Sequence, residues 1–216
     1  MIAILTGLTA LVTSAISSIS TTLPTLGLAL KTFIAKIPGP FLEKYLQNII
    51  RFIGNLAKVF FNLNCPCDEL GYKARVADKK EEEFKTTEDY LKYLDNNVQF
   101  DKAAFESSST LERLECGLRG MGLAHKAIEE KAHIVVSPLF LAMSAALAIK
   151  PEVTMQCLST LKDTNVSTDD IFAYFKGTCS PEKVKAVDDV VKKFFTTPEN
   201  PYAIQDMQAK VREMGL

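Results

Sequence analysis

Charged residues are absent from the first 30 positions of this 216-residue chain. Between there and residue 63 the chain has five basic residues and a single acidic one, Glu43, so the first 63 residues have a net charge of +4. The remainder has 20 basic and 25 acidic residues, a net charge of −5. This asymmetry predicts an N-terminal part that faces lipid or a large partner, and a remainder that faces water.

Glycine and proline are also scarce, at 10 and 9 residues, which excludes a collagen-like or low-complexity chain. Hydrophobic residues make up 47% of the sequence and charged residues 24%, which excludes an intrinsically disordered protein. The overall net charge of −1 gives no general attraction for nucleic acid, so we predict no nucleic-acid partner.

The sequence lacks the common catalytic signatures. It has no P-loop, no G-x-S-x-G nucleophile motif, no H-E-x-x-H motif and no glycine-rich dinucleotide-binding motif after a strand. Ser, His and Asp residues are present, but no pattern brings them together. We therefore expect a protein that is not an enzyme and that has no cofactor.

Histidine occurs only twice, which limits metal binding. Glu130 and His133 form one E-x-x-H pattern, and both would lie on one helical face. A di-iron bundle needs two such patterns and two further Glu residues, so the chain cannot build one. Glu130 and His133 are weak metal candidates, and an ordinary amphipathic helix with its polar side in water is the favoured alternative.

Apolar residues recur with the period of an α-helix, and alternation with a period of two is almost absent. This predicts an all-α helical bundle with an apolar, uncharged N-terminal helical region and an acidic soluble helical domain. We divide the chain into residues 1–63, charged connecting helices over 64–108, and a C-terminal helical domain over 109–216. Proline and asparagine near residues 62–68 mark the first boundary.

The first predicted helix, residues 2–20, has two different faces. One is bulky and is predicted to meet the membrane or an interface: Leu5, Leu8, Val12, Ile16 and Ile19. The other contains only small residues, which allow helices to approach closely, and is predicted to pack against a helix. Its members are Ala3, Gly7, Ala10, Ser14 and Ser17.

A second predicted helix ends at Pro38, and a third covers residues 41–61. The third is amphipathic, with Lys44, Arg51 and Lys58 on the side opposite its apolar residues. We predict that this helix lies in the headgroup layer with its cations facing anionic lipid. The basic residues would then place residues 31–58 on the cytoplasmic side.

Three explanations compete for the uncharged N-terminal region. A secretory signal peptide is disfavoured because no Lys or Arg precedes residue 31. A core helix of a soluble bundle is an alternative, although such a helix normally exposes some charge. A membrane-inserting or membrane-lying region is favoured. The uncharged segment 132–149 is interpreted instead as the central helix of a soluble bundle, with a second membrane pass as the alternative.

The cysteines and a group of glycines are interpreted as structural. Five Cys is an odd number, and we predict reduced, partly buried thiols, with a Cys157–Cys179 disulfide as the alternative. Gly117, Gly120 and Gly122 interrupt a helical pattern with no preceding strand. They favour close helix packing or a kink over ligand binding.

Together these patterns predict a non-enzymatic, membrane-associated helical component of a larger assembly, of the secretion, conjugation or viral delivery type. Its expected partners are membrane lipid, other protein subunits or both, in a homo- or hetero-oligomer. Two alternatives remain open: a soluble structural subunit whose apolar N-terminus packs in subunit interfaces, and a pore-forming effector.

Overall fold

The computed structural model of the protein describes residues 2–196 and 203–216, apart from the side chains of residues 2–6 and Thr22. Within these residues the regular structure consists of α-helices and one short 3-10 helix, with no strand. The prediction of an all-α fold is confirmed. Its physical basis is the helical spacing of apolar residues throughout the chain.

The N-terminal region forms three helices: α1 (Ile2–Thr22), α2 (Pro24–Ala35) and α3 (Gly39–Phe61). Pro24 occupies the first turn of α2, where its missing N–H is not needed. α3 ends at Asn62, which adopts a left-handed conformation with φ of 56°. Asparagine tolerates this conformation better than most residues, so it terminates the helix at the predicted break.

The acidic middle of the chain forms short helices. These are α4 (Cys67–Val76), a 3-10 turn (Glu81–Glu83), α5 (Thr87–Asn97) and α6 (Lys102–Ser107). The side-chain oxygens of Thr86 and Asp101 cap the N-termini of α5 and α6. Such caps satisfy amide groups that have no partner within the helix.

α7 (Thr110–Ala132) has 23 residues, the same length as α3. It starts with a reciprocal capping box between Ser109 and Glu112. It ends where His133 adopts a left-handed conformation. α8 (Pro138–Ala146) follows after a short connection. The segment 132–149 is therefore not one continuous helix, which corrects the sequence analysis. The nine residues of α8 measure about 14 Å, less than half the thickness of a bilayer core.

Four helices complete the chain: α9 (Pro151–Leu161), α10 (Thr168–Lys176), α11 (Pro181–Phe195) and α12 (Ala203–Glu213). Three of them begin with residues that favour the start of a helix. Proline lies in the first turn of α9 and α11, and Ser167 caps α10. These signals are local to the sequence at the start of each helix.

Two long helices organise the packing. α7 contacts α1, α2, α3, α4 and α5, whereas α3 contacts α1, α4, α7, α8 and α9. α10 packs against α8, α11 and α12. The buried apolar residues form one continuous cluster that extends from Val12 to Leu216. The three sequence segments therefore share a single core.

The closest helix contact joins α4 and α7 through a reciprocal pair of glycines. A Cβ atom added to Gly71 would lie 1.8 Å from the carbonyl oxygen of Cys116, and one added to Gly120 would lie 1.8 Å from that of Cys67. Each glycine thus lies directly against the backbone of the other helix. The interpretation of the α7 glycines as close packing is confirmed.

Candidate functional site

The bulky side of α1 lies inside the protein. Val12, Ile16 and Ile19 are buried and Leu8 is half-buried, because α1 packs against α2, α3 and α7. The side chain of Leu5 lies outside the described residues. These residues were expected to meet a membrane or an interface, but the chain's own helices cover them. An amphipathic pattern indicates a buried side without indicating what buries it.

The small-residue side of α1 faces outward. Gly7, Ala10, Ser14 and Ser17 are all exposed, and a Cβ atom added to Gly7 would meet no atom within 4 Å. The side chain of Ala3 lies outside the described residues. No described helix packs on this side, so its predicted role in helix packing requires a partner outside the chain.

Hydroxyl groups on the exposed side of α1 bond to the helix itself. Thr13 donates to the carbonyl oxygen of Thr9 at 2.8 Å, and Thr21 donates to that of Ser18 at 2.7 Å. These bonds satisfy donors that would otherwise need water. The outer surface of α1 therefore carries neither charge nor free donors at these two positions.

The apolar side of α3 is also buried inside the protein. Leu46, Ile49, Ile53 and Leu56 are almost completely buried under helices of the same chain. A helix that lies in a headgroup layer inserts its apolar side into lipid. In this fold that side is unavailable, so α3 presents only its polar side. This corrects the expectation for residues 41–61.

The polar side of α3 carries a row of cations, Lys44, Arg51 and Lys58, which we call the basic row. Successive members are seven residues apart, so they lie on one side of the helix. Lys44 and Arg51 are exposed, and Lys58 is half-buried. The basic row therefore remains on the surface.

None of the five cations between residues 31 and 58 forms an ion pair with another described residue, whereas nine of the 20 later Lys and Arg residues do. The cause is compositional, because Glu43 is the only carboxylate in this part of the sequence. The N-terminal surface thus carries five cations that form no ion pair with another described residue. They are Lys31, Lys36, Lys44, Arg51 and Lys58.

A groove of about 580 Å³ separates α1 from the basic row; we call it the α1–α3 groove. Its remaining wall comes from the N-terminal part of α7, from the start of α4 with Pro66, Cys67 and Asp68, and from Phe105 of α6. Arg51 and Arg113 both line it, and among the described residues neither is in an ion pair. Apolar walls and two guanidinium groups without ion pairs therefore occur in the same depression.

A second groove, of about 500 Å³, lies between α2, α7 and the connection to α8. Leu28 and Val135 are at its margins and are 66% and 80% exposed. His125 lies edge-on to Phe33, and its Nε2 is 3.0 Å from the carbonyl oxygen of Val136. The contact with Val136 joins the His125 imidazole of α7 to the connection between α7 and α8.

The weak metal candidates do not converge. Glu130 accepts hydrogen bonds from the backbone N–H and the hydroxyl of Thr87, at 3.0 and 2.9 Å. His133 is exposed and has left the helix through its left-handed conformation. Over residues 2–196 and 203–216, no three His, Cys, Asp or Glu side chains are grouped to hold a metal ion. The common helical face assumed for Glu130 and His133 is therefore wrong.

All five cysteines have free thiols, and four of them are buried. Burial raises the pKa of Cys157 to about 12 and also raises that of Cys67 and Cys116. Burial and the neighbouring Asp95 raise the pKa of Cys65. The prediction of reduced, partly buried thiols is confirmed, and the alternative Cys157–Cys179 disulfide is not formed. Protonated, buried thiols are poor nucleophiles.

Comparison with known proteins identifies no relative: no protein-family model matches the chain, and no curated protein or solved structure shows significant similarity to it. Among the described residues, no helix has both the length and the continuous apolar character needed to cross a bilayer.

Proposed function

We propose that the protein is a non-enzymatic, membrane-associated helical component of a larger assembly, of the secretion, conjugation or viral delivery type. The observation that supports this most directly is that none of the five cations of residues 31–58 forms an ion pair with another described residue. Anionic lipid headgroups supply the negative partners that this part of the chain lacks. The uncharged outer side of α1 adds a neighbouring surface that costs little free energy to remove from water.

The basic row supplies a modest electrostatic attraction to an anionic membrane surface. Each cation close to an anionic membrane surface contributes about 1 kcal/mol, so the three residues of the basic row contribute about 3 kcal/mol together. In this arrangement the folded body rests on the membrane through α1 and α3. The basic residues favour the cytoplasmic surface, which places residues 31–58 on that side.

Attachment through a protein subunit is the second candidate function, and the small-residue side of α1 favours it. Gly7, Ala10, Ser14 and Ser17 leave room for a helix of another subunit to approach closely. In that case the protein is a soluble structural subunit of a homo- or hetero-oligomer. A pore-forming effector would use the same surfaces but would also release the contents of vesicles.

Flotation with vesicles tests the membrane proposal. The full chain is incubated with vesicles that contain 30% phosphatidylserine and with neutral phosphatidylcholine vesicles. We expect flotation with the anionic vesicles only. The triple variant Lys44→Glu, Arg51→Glu and Lys58→Glu should lose at least tenfold in bound fraction at limiting lipid, because it replaces attraction by repulsion.

The matched control replaces Lys85, Lys162 and Lys185 by Glu. These residues are also exposed and unpaired among the described residues, so the net charge changes equally without loss of an ion pair. The control should float like the wild type. Equal losses in both variants, or no flotation of the wild type, would refute the proposal. Dye release from the same vesicles would support the pore-forming alternative, and self-association without vesicle binding would support the structural subunit.

A further inference from the structure

The α1–α3 groove combines an apolar wall with groups that bind anions. Leu8 and Leu11 of α1 line one side, and Ile50 of α3 and Leu114 of α7 line the others. Its volume of about 580 Å³ is within the range of small-molecule sites, about 300–1,000 Å³. The groove therefore has the size and the apolar surface needed for part of an organic ligand.

The polar lining is dominated by donors. Arg51, Arg113, Gln47 and Asn55 line the groove, and Asp68 is the only carboxylate among the residues that do so. Arg113 donates from Nη1 to the carbonyl oxygen of Glu106 at 3.0 Å, which occupies one of its five N–H groups. Two guanidinium groups against one carboxylate leave a net positive charge in the lining.

The donor set matches phosphate better than carboxylate. A guanidinium group binds two oxygen atoms of an anion through parallel N–H bonds, and a carboxylate has only two oxygen atoms. A phosphate group presents three acceptor oxygens, so it can engage both guanidinium groups and an amide as well. The adjoining apolar wall then accommodates a chain attached to that phosphate.

We propose that the α1–α3 groove binds a phosphate group carried by an apolar chain, with Arg51 and Arg113 on the phosphate and with Leu8 and Leu11 along the chain. This inference deepens the proposed function, because a phospholipid headgroup is one source of such a ligand. A free phosphate anion is the other source. Arg113 is the discriminating residue, since it belongs to α7 and not to the basic row.

Titration calorimetry with dihexanoyl phosphatidic acid below its micellar concentration tests this proposal without a membrane surface. We expect saturable binding by the full-length wild type. Arg113→Gln should weaken binding at least tenfold, whereas Lys44→Gln should leave it unchanged because Lys44 does not line the groove. Both residues are exposed, and thermal unfolding monitors the fold of each variant.

Two comparison ligands separate the sources of the phosphate. Dihexanoylglycerol, which lacks the phosphate, should bind at least tenfold more weakly than the phosphatidic acid. Inorganic phosphate should also bind more weakly; equal affinity that is sensitive to Arg113→Gln would retain the phosphate site but overturn its lipid specificity. Absence of binding, or unchanged binding by Arg113→Gln, would overturn the whole inference.

The outcomes for the groove and for the proposed function are distinguishable. Wild-type protein that floats with anionic vesicles but does not bind soluble phosphatidic acid retains the function and refutes the groove. Protein that binds the soluble ligand through Arg113 but does not float retains the groove and refutes membrane attachment. Calorimetry uses a soluble ligand and flotation uses vesicles. A positive result in one assay therefore does not imply a positive result in the other.

Discussion

Asp95 holds the connection between α3 and α4 in place. Its Oδ2 accepts hydrogen bonds from the backbone N–H of Asn64 at 3.0 Å and from the Asn64 amide at 3.2 Å, and its Oδ1 accepts from the N–H of Cys65 at 3.2 Å. Partial burial opposes ionisation of Asp95. The hydrogen bonds from Cys65 and Asn64 outweigh this and hold its pKa below the ordinary value.

Replacement of Asp95 by Ala should reduce the free energy of unfolding by about 2 kcal/mol at pH 7, since it leaves backbone donors without their charged acceptor. The pKa of Asp95 is lower in the folded state, so its contribution is present above about pH 4 and is lost as the pH falls through the folded value. Urea unfolding should show a smaller difference between the proteins at pH 3. Asp163→Ala, at an exposed turn, is the control and should change stability little.

Thiol reactivity should distinguish Cys179 from the other cysteines. Cys65, Cys67, Cys116 and Cys157 are buried and have raised pKa values, whereas Cys179 is partly exposed. Titration with Ellman's reagent at pH 8 should detect one rapidly reacting thiol in the native protein and five in urea. Cys179→Ser should abolish the rapid phase. A rapid thiol that persists in this variant would contradict the described burial.

At the scale of elements, the contact between α4 and α7 depends on the absence of two side chains. Gly71→Ala or Gly120→Ala would place a methyl group within 1.8 Å of a carbonyl oxygen, so the helices must separate. We expect a loss of about 3 kcal/mol or more in unfolding free energy, the upper range for overpacking. Thermal unfolding measures the loss.

Gly7→Ala is the matched control for the glycine variants. Gly7 also lies in a helix, but it has open space around it. Alanine should stabilise α1 by up to about 1 kcal/mol there, because it has the higher helix propensity. Equal effects of Gly7→Ala and Gly71→Ala would show that helix propensity, and not packing, determines the result.

At the scale of the whole molecule, charge is distributed unevenly between the N-terminal surface and the remainder. If this asymmetry drives attachment, vesicle binding must depend on ionic strength. The Debye length falls from about 10 Å at 0.1 M salt to about 3 Å at 1 M. We expect the fraction bound to phosphatidylserine vesicles to fall at least tenfold over this range in flotation assays. Binding that is constant across this range would show that apolar insertion dominates.

Much of the architecture follows from local signals. The starts of four helices carry local signals, which are capping boxes at Ser109 and Ser167 and prolines in the first turns of α9 and α11. Charged connecting helices were predicted over residues 64–108, but without the bounds of α4 and α6, because these sequences are too polar to show a strong helical period. The break at His133 was missed, since a left-handed histidine has no distinctive sequence signal.

The candidate site was only partly predictable. The basic row was identified from its position opposite the apolar residues of α3, and it lies on the surface, but the participation of Arg113 in the groove that Arg51 lines could not be foreseen. Arg51 and Arg113 are 62 positions apart, and nothing in the sequence relates them. The contact of α3 with α7 brings them into one depression.

The sequence by itself determined that the protein is helical, where most helices begin, and that its first 63 residues have no acidic side chain except Glu43. Only the tertiary structure decided what covers the apolar sides of α1 and α3. Lipid, a partner subunit and the chain's own helices offer similar apolar surroundings, so hydrophobic periodicity cannot distinguish them. α1 and α3 pack their apolar sides in the core with α7. This packing leaves the cations and the small side of α1 on the surface.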